Sequence, residues 1–295
     1  MNWLSFQLAL DRLDPEPVED ALLAAGAVSV TYEDAGDEPL YEPDPGQMPL
    51  WSRTRMTGLF AADTDMDAVR AVLLASLGLS QLPLHRIEPL ADRDWEREWL
   101  KDFKPMRFGR RLWICPTAYS PPEPDAINIM LDPGLAFGTG THPTTALCLE
   151  RLDASELQGC EFIDYGCGSG VLAIAAARLG ASRVWAVDTD PQALVATRDN
   201  AGRNRVESLL HVCAPETLPA LQADFLVANI LAGPLVTLAP RLAALLKAGG
   251  ELALSGILAA QEQEIRDAYA PWFEITGVAR RAAAGDACAP AGATR

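Results

Sequence analysis

The sequence predicts an α/β protein in which a small α+β domain precedes a larger, Rossmann-like domain with a mainly parallel sheet. Nearly half of its 295 residues (49%) are hydrophobic, which is typical of a globular chain. The first ninety residues follow the order β-α-β-β-α-β of a ferredoxin-like fold. From Met106 onward, predicted strands alternate with predicted helices, which favours a parallel sheet covered on both faces. We therefore predict domains over 1–90 and 106–295, joined by a linker over 91–105.

Each element of the first domain follows from a local pattern. Apolar alternation predicts strands over 3–10, 28–32, 56–61 and 84–87. One helix begins at Asp14-Pro15, with proline at its favoured first position, and ends at Gly26. A Pro- and Gly-rich loop over 34–49 leads to the strand 56–61, and a second helix then opens within 63–67 and ends near Leu77. In the linker, Trp95, Trp99 and Phe103 recur every four residues, which predicts a short helix whose aromatic face packs on a domain.

The second domain opens with a strand, a glycine turn, a helix and a second strand. The predicted strand 162–165 runs into Gly166, Gly168 and Gly170, and the next strand ends at Asp188. A dinucleotide fingerprint needs a third glycine where Val171 stands. Asp164, beside the turn, suits an ammonium group better than a pyrophosphate, and Asp188 is placed to accept both hydroxyls of a ribose. A nucleoside with a cationic amino-acid tail, S-adenosylmethionine, fits this pattern better than NAD.

The remaining elements complete the alternation. We expect a helix from Asp190-Pro191, strands over 209–213, 225–229, 251–255 and 273–278, and helices over 235–247 and 261–272. Ala248-Gly249-Gly250 is expected to end the helix that begins at Leu235. The tail after Arg281 shows no periodicity, so we expect it to be frayed.

A glycine-rich loop over 131–145 precedes the glycine turn and leads into a helix. Its glycines and the aromatic Phe137 suit a lid that closes over a bound donor. Thr145 is a candidate hydrogen-bond partner for the donor's amino-acid tail. His142 is either a general base or the cap of the helix, and both alternatives stay open.

Asn229 ends the predicted strand 225–229, at the sheet edge where reacting groups gather in open α/β sheets. Methyl transfer requires a neutral nitrogen held in line with the methyl carbon. An amide oxygen orients an amine without removing its proton. Asn229 is therefore the candidate that positions a target amine.

Charge and composition narrow the class of partner. The net charge of −16 argues against a nucleic-acid groove. Residues 1–50 hold eleven acids and one base, −11 + 1 = −10, which favours a basic partner. The six cysteines show no metal or disulfide spacing, no signal peptide is recognised and no apolar run is long enough to span a membrane. We expect a cytoplasmic protein, without a metal, for which a monomer suffices.

On these motifs the sequence resembles the PrmA family, the methyltransferases of large-subunit ribosomal protein eleven. The resemblance spans nearly the whole chain, including W-E-R-E-W at 95–99, L-D-P-G-L-A-F-G-T-G-T-H-P-T-T at 131–145, D-Y-G-C-G-S-G at 164–170 and A-N-I-L-A-G-P at 228–234. It implies a docking domain for the ribosomal protein and methylation of lysine ε-amines and of the N-terminal α-amine. It also implies donor contacts at Thr145, Gly166, Asp188 and Asn229. Such proteins end in a Trp-containing antiparallel strand, whereas 279–285 has no Trp, so that strand is expected to be absent or irregular.

Three alternatives remain open at this point. The first is a protein-lysine methyltransferase with another substrate, and the second is a donor-binding module without turnover. The third is an RNA methyltransferase, which the negative net charge disfavours.

Overall fold

The computed structural model describes residues 3–10, 13–36, 38, 50–90, 103–132 and 142–281, and the strands 287–290 and 293–294. The chain divides into two compact units, Met1–Glu98 and Trp99–Arg295. This division falls inside the predicted linker 91–105. The predicted linker helix, with Trp95 and Trp99, lies outside the described residues, and Phe103 is buried in the core of the second unit.

The first unit is a four-stranded antiparallel sheet with two helices. Its elements are β1 (Trp3–Ala9), α1 (Pro15–Ala24), β2 (Ser29–Asp34), β3 (Thr54–Ala61), α2 (Met66–Leu77) and β4 (His85–Leu90). The strand order is β2-β3-β1-β4, and every neighbouring pair is antiparallel. Element order and sheet order together confirm the predicted ferredoxin-like fold.

Capping residues set the helix bounds in this unit. The Asp14 side chain accepts a hydrogen bond from the Glu16 backbone N–H before Pro15 begins α1. Asp65 does the same for Asp67 at the start of α2, and Gly78, with a left-handed φ of 63°, ends it. The core is formed by apolar residues of both helices and the sheet, among them Phe6, Leu8, Val18, Leu22, Met56, Phe60 and Leu73.

The second unit is built on a seven-stranded sheet with the order β10-β9-β8-β11-β12-β17-β14. Its strands are β8 (Glu161–Tyr165), β9 (Arg183–Val187), β10 (Leu210–Cys213), β11 (Ala223–Asn229), β12 (Leu246–Ser255), β14 (Glu274–Ile275) and β17 (Ala293–Thr294). The first five are parallel, and β17 runs antiparallel between β12 and β14. This arrangement confirms the predicted Rossmann-like sheet.

Helices cover the two faces of this sheet. They are α3 (Pro143–Ala154), α4 (Val171–Arg178), α5 (Pro191–Arg203), α6 (Ala232–Ala244) and α7 (Glu262–Tyr269). Because side chains alternate along a strand, Phe162 packs in the cluster that holds α3, α4 and α5, whereas Ile163 packs in the cluster that holds α6 and α7. Asp164 therefore points to the α4 side.

Two small sheets lie beside the main one. β5 (Met106–Phe108), β6 (Leu112–Cys115) and β7 (Ile127–Met130) form the first, so these residues do not join the parallel sheet. β13 (Ile257–Leu258), β15 (Val278–Arg281) and β16 (Ala287–Pro290) form the second.

Several predicted bounds in the second unit were wrong. α6 begins and ends three residues before the predicted 235–247, because buried Leu246 pairs with Ala223 and already belongs to β12. Gly249, with a φ of +78°, therefore lies in a bulge of β12 and does not cap the helix. The predicted helix 261–272 is shorter, Glu262–Tyr269, and the predicted strand 273–278 is replaced by the separate strands β14 and β15.

The expectation of a frayed tail was also wrong for its described residues, 287–290 and 293–294, which form strands. β16 pairs with β13 and β15, and β17 supplies the antiparallel strand of the main sheet, although it is only two residues long. The pairing comes from backbone hydrogen bonds, which the short strands Ala287–Pro290 and Ala293–Thr294 form without an apolar pattern in their sequence.

Candidate active site

The glycine turn is held by backbone hydrogen bonds between strand ends. The N–H groups of Gly166 and Cys167 both donate to the carbonyl of Val187, at 2.7 and 3.0 Å. Gly166, Gly168 and Gly170 have positive φ values of 85°, 53° and 80°, which glycine adopts without strain. The turn thus folds back onto the end of β9 before α4 begins.

Asp164 is a fully buried carboxylate directly before this turn. Its Oδ2 accepts a hydrogen bond from the Ala173 N–H of α4 at 2.9 Å, whereas its Oδ1 has no partner among the described residues. The pKa of this carboxyl is raised from its ordinary value to about 7: burial has the largest effect and raises it, the Ala173 N–H lowers it, and the charge of Asp188 raises it. An unpaired buried carboxylate oxygen is costly unless a donor group reaches it.

Asp188 lies where β9 ends and contacts the glycine turn directly. Its Oδ2 accepts the Gly168 N–H at 2.8 Å, and its Oδ1 accepts the Asp190 N–H at 3.0 Å. Each carboxylate oxygen keeps a second lone pair, so both can also accept hydroxyl groups of a ligand. Asp164, Gly166, Gly168 and Asp188 therefore lie together at the ends of β8 and β9.

Asn229 ends β11, the strand beside β8. The register pairs Val227 with Asp164, so Asn229 lies two residues beyond this pair on its strand, as Gly166 does on β8. The Asn229 Nδ2 donates to the Oγ1 of Thr145, which is almost fully buried in the first turn of α3, at 3.2 Å. This bond joins the two candidate residues that the sequence places 84 positions apart.

Comparison with known proteins identifies the family. The model of the family described as Ribosomal protein L11 methyltransferase (PrmA) matches residues 2–283. A protein of this name from Pseudomonas paraeruginosa is 59% identical over 282 residues, which cover 95% of this chain and 96% of that protein. The chain belongs to the ribosomal protein L11 methyltransferase family.

Other relatives agree with this assignment. A protein of the same name from Pseudomonas savastanoi pv. phaseolicola is 55% identical and covers 95% of this chain and 96% of its own length. A crystal structure described as ribosomal protein L11 methylase from Lactobacillus delbrueckii subsp. bulgaricus is 34% identical and superposes with a TM-score of 0.55. It covers 63% of this chain and 97% of that chain.

His142 occupies the N-cap position of α3. Its Nδ1 lies 2.6 Å from the Thr144 hydroxyl oxygen, and it accepts a hydrogen bond from the Thr144 backbone N–H at 3.4 Å. The capping alternative is thus present in the structure, and the general-base role stays a prediction. Phe137, the predicted lid aromatic, lies outside the described residues.

Helix α5 supports the glycine turn in a way that the sequence reading missed. The fully buried Thr197 donates from its Oγ1 to the Gly168 carbonyl at 3.0 Å, and Asn200 donates from its Nδ2 to the Ser169 carbonyl at 2.9 Å. The signal was a threonine and an asparagine three apart on the helix after Asp188, among the buried Ala193 and Ala201. Polar residues on a buried helix face indicate hydrogen-bond partners in the core.

Asn204 and Ser255 were missed as well. Asn204 accepts the Met130 N–H at 2.7 Å and donates to the Met130 carbonyl at 2.8 Å, which fixes the end of β7 directly before the glycine-rich loop. Ser255, fully buried at the end of β12, donates to the Thr144 carbonyl at 3.1 Å. These bonds hold the loop's two flanks and the start of α3.

The glycine turn also contains a buried cysteine, Cys167. Burial raises the pKa of the Cys167 thiol far above its ordinary value, so it does not supply a thiolate nucleophile. Among the described residues, no group of three or more His, Cys, Asp or Glu side chains is arranged to hold a metal ion. In the same residues, no helix is both long and apolar enough to cross a membrane.

Proposed function

We propose that this chain uses S-adenosylmethionine to methylate amines of ribosomal protein L11. The observation that carries the proposal is the buried Asp164, which has one unpaired oxygen and lies beside the glycine turn. On one side of this turn Asp188 accepts a hydrogen bond from the Gly168 N–H, and on the other side Asn229 ends the neighbouring strand. The named function of its relatives, which align over 95% of the chain, supports the same reaction and substrate.

The residues of the turn fit S-adenosylmethionine. The unpaired Oδ1 of Asp164 suits an ammonium group, and the free lone pairs of Asp188 suit the two ribose hydroxyls. Thr145 and the backbone of Gly166, Gly168 and Gly170 complete the set that would hold the donor, with Phe137 proposed as a lid residue. When bound, S-adenosylmethionine supplies a methyl carbon activated by its sulfonium.

Asn229 is proposed to orient the target amine. Thr145 takes one of its amide N–H groups, which fixes the plane of the amide and leaves the carbonyl oxygen for an amine N–H. The target amine must be neutral, and transfer from water into a site beside a positive charge lowers its pKa. Asn229 then holds the amine in line with the methyl carbon without removing a proton, so it contributes by orienting the substrate and not as a base.

The first unit is proposed to bind the basic ribosomal protein. Its first fifty residues contribute −10 of the net charge, −16, and long-range attraction by such a surface raises the rate of encounter with a basic partner. We propose lysine ε-amines and the N-terminal α-amine as targets, a cytoplasmic location and a monomeric enzyme without a nucleic-acid partner.

The test is a methylation assay followed by intact-mass analysis of L11. The wild-type chain is incubated with unmethylated L11 and S-adenosylmethionine, and the product should gain multiples of one methyl mass. Asn229→Ala should lower turnover by about a hundredfold while donor affinity stays within about threefold. Donor binding by the wild type without any product on L11 would favour the binding module, and product only on another basic protein would favour another substrate.

A further inference from the structure

Ile230 lies where three neighbouring strands of the main sheet end. It is the first residue after β11, which is hydrogen-bonded to β8 on one side and to β12 on the other. Gly166 follows β8, and Gly256 follows β12. The side chain of Ile230 is partly buried and packs against the cluster that holds α6 and α7.

The Ile230 side chain fills the space beside Gly166. A Cβ atom placed on Gly166 would lie 2.1 Å from the Ile230 Cγ2, far inside van der Waals contact. Glycine is therefore needed at position 166 for two reasons: a side chain would collide with Ile230, and the φ of +85° is one that glycine adopts without strain. The methyl group of Ile230 touches the backbone of the proposed donor-binding turn.

The backbone of Ile230 is confined on its other side by Gly256. A Cβ atom on Gly256 would lie 2.3 Å from the Ile230 carbonyl oxygen and 2.9 Å from its carbonyl carbon. Ile230 is thus held between two glycines, by its methyl group on one side and by its peptide on the other. Neither contact was suggested by the sequence pattern.

This confinement acts on Asn229, the preceding residue. The Cγ2 of a β-branched side chain is attached at Cβ, so its position follows directly from the backbone and a stiff χ1. A shift of this methyl group away from Gly166 requires a shift of the Ile230 backbone, and hence of Asn229.

We infer that Ile230 is a positioning residue that sets the distance between the donor bound at Gly166 and the amine oriented by Asn229. The inference rests on the proposed function of these two residues. The hydrogen bonds of Gly166 and Cys167 go to the Val187 carbonyl at the end of β9 and do not involve Ile230, so they hold the turn independently of this residue. Loss of the methyl contact should therefore affect turnover more than donor affinity.

The first experiment compares Ile230→Leu, Ile230→Val and Ile265→Leu. Leucine has the same volume as isoleucine but no Cγ2, whereas valine keeps both Cγ atoms. Ile230→Leu should lower kcat on L11 by about tenfold relative to wild type, while its donor affinity stays within about threefold of wild type. Ile230→Val should keep most of the wild-type kcat. Ile265→Leu is the control, because Ile265 is fully buried in α7 and packs in the same cluster. It makes the same isoleucine-to-leucine change away from the glycine turn and should leave kcat unchanged.

The second experiment asks whether the two residues are coupled. Gly166→Ala should lower kcat strongly, because its methyl group collides with the Ile230 Cγ2 in addition to straining a positive φ. In Gly166→Ala/Ile230→Ala the collision is gone, so the double variant should recover about fivefold or more over Gly166→Ala. The φ strain remains, so the recovery is partial.

Two results would overturn the inference while leaving the proposed function intact. One is a wild-type enzyme active on L11 whose Ile230→Leu variant keeps kcat within twofold or loses donor affinity, stability and kcat in parallel. The other is a double variant no better than Gly166→Ala. Failure of the proposed function is separate, because it would appear as an inactive wild type.

Discussion

The Asn229 side chain donates a hydrogen bond to Thr145 across 3.2 Å, and so connects the end of β11 to the first turn of α3. Thr145 is almost completely buried, so its hydroxyl has few other ways to be satisfied. The neighbouring Thr144 carbonyl accepts from Ser255 at the end of β12. The orientation of one amide is thereby determined by residues from three separate parts of the chain.

Thr145→Val should lower turnover because it leaves the Asn229 N–H without its acceptor. An unpaired buried donor costs about 1–3 kcal/mol, so we expect kcat to fall roughly tenfold to a hundredfold. Thr145→Ser keeps the hydroxyl and should stay within about threefold of wild type. Steady-state kinetics on L11 measures both, and equal losses in the two variants would show that the hydroxyl does not matter.

Asp188→Ala should weaken the binding of S-adenosylmethionine by roughly 1.5–3 kcal/mol, because it removes the ribose acceptor and the partner of the Gly168 N–H. Titration calorimetry gives this value directly. Asp190→Ala is the matched control: its carboxylate caps α5 through the Gln192 N–H at 2.8 Å and is exposed. It should lower stability by about 1 kcal/mol and leave donor affinity nearly unchanged. Near-normal affinity in Asp188→Ala would mean that the ribose lies elsewhere.

Asp164 should make the protein less stable as pH rises from about 4 to about 7. Its folded pKa of about 7 lies above the value near 3.9 of an unfolded chain. Between these values the folded state holds a proton that the unfolded state has released, so the free energy of unfolding falls with rising pH. Below about 4 both states are protonated and above about 7 both are ionised, so this contribution is constant there.

Urea unfolding of the wild type and of Asp164→Asn, at pH 5 and pH 8, isolates this group from the other carboxylates. The wild type should lose on the order of 2–4 kcal/mol more than the variant between the two pH values. Asp188, the nearby charge that adds to the shift, is present in both proteins. Identical pH dependence in the two proteins would mean that Asp164 is ionised throughout.

His142→Asn separates a cap from a general base. Asparagine is a good N-cap and a poor base, so a residue that only caps α3 should tolerate the change, and the contacts of Nδ1 with Thr144 lead us to expect this. His142→Ala should then cost about 1 kcal/mol of stability with little change in kcat. A fall in kcat by about a hundredfold or more in both variants would establish the general base.

Gly170→Ala should destabilise the protein by roughly 2–4 kcal/mol. The glycine has a φ of +80°, and an added Cβ would lie 2.8 Å from the Thr197 Cγ2 and 2.9 Å from its Oγ1. Gly202 in α5 is the matched control, because an added Cβ there meets no atom within 4 Å. Gly202→Ala should be neutral or stabilise by about 0.5 kcal/mol, as measured by urea unfolding. Similar effects of the two substitutions would rule out the contact with Thr197.

Most of the fold could be predicted from the sequence because its signals are local. Strand alternation, the caps Asp14 and Asp65 and the glycine turn each depend on neighbouring residues, and their order fixes the two sheet architectures. Candidate residues at strand ends could also be named, since the carboxyl ends of parallel strands meet at one edge.

The tertiary structure decided what depends on residues far apart in the chain. The bulge at Gly249 and the pairing of β17 come from backbone partners on other strands, which no local pattern encodes. The raised pKa of Asp164 comes from complete burial under α4, and the support of the glycine turn comes from Thr197 and Asn200 on α5. The residue types needed for methyl transfer can thus be identified from the sequence alone. Their distances, their protonation and the contact between Ile230 and Gly166 arise only when separate strands and helices pack together.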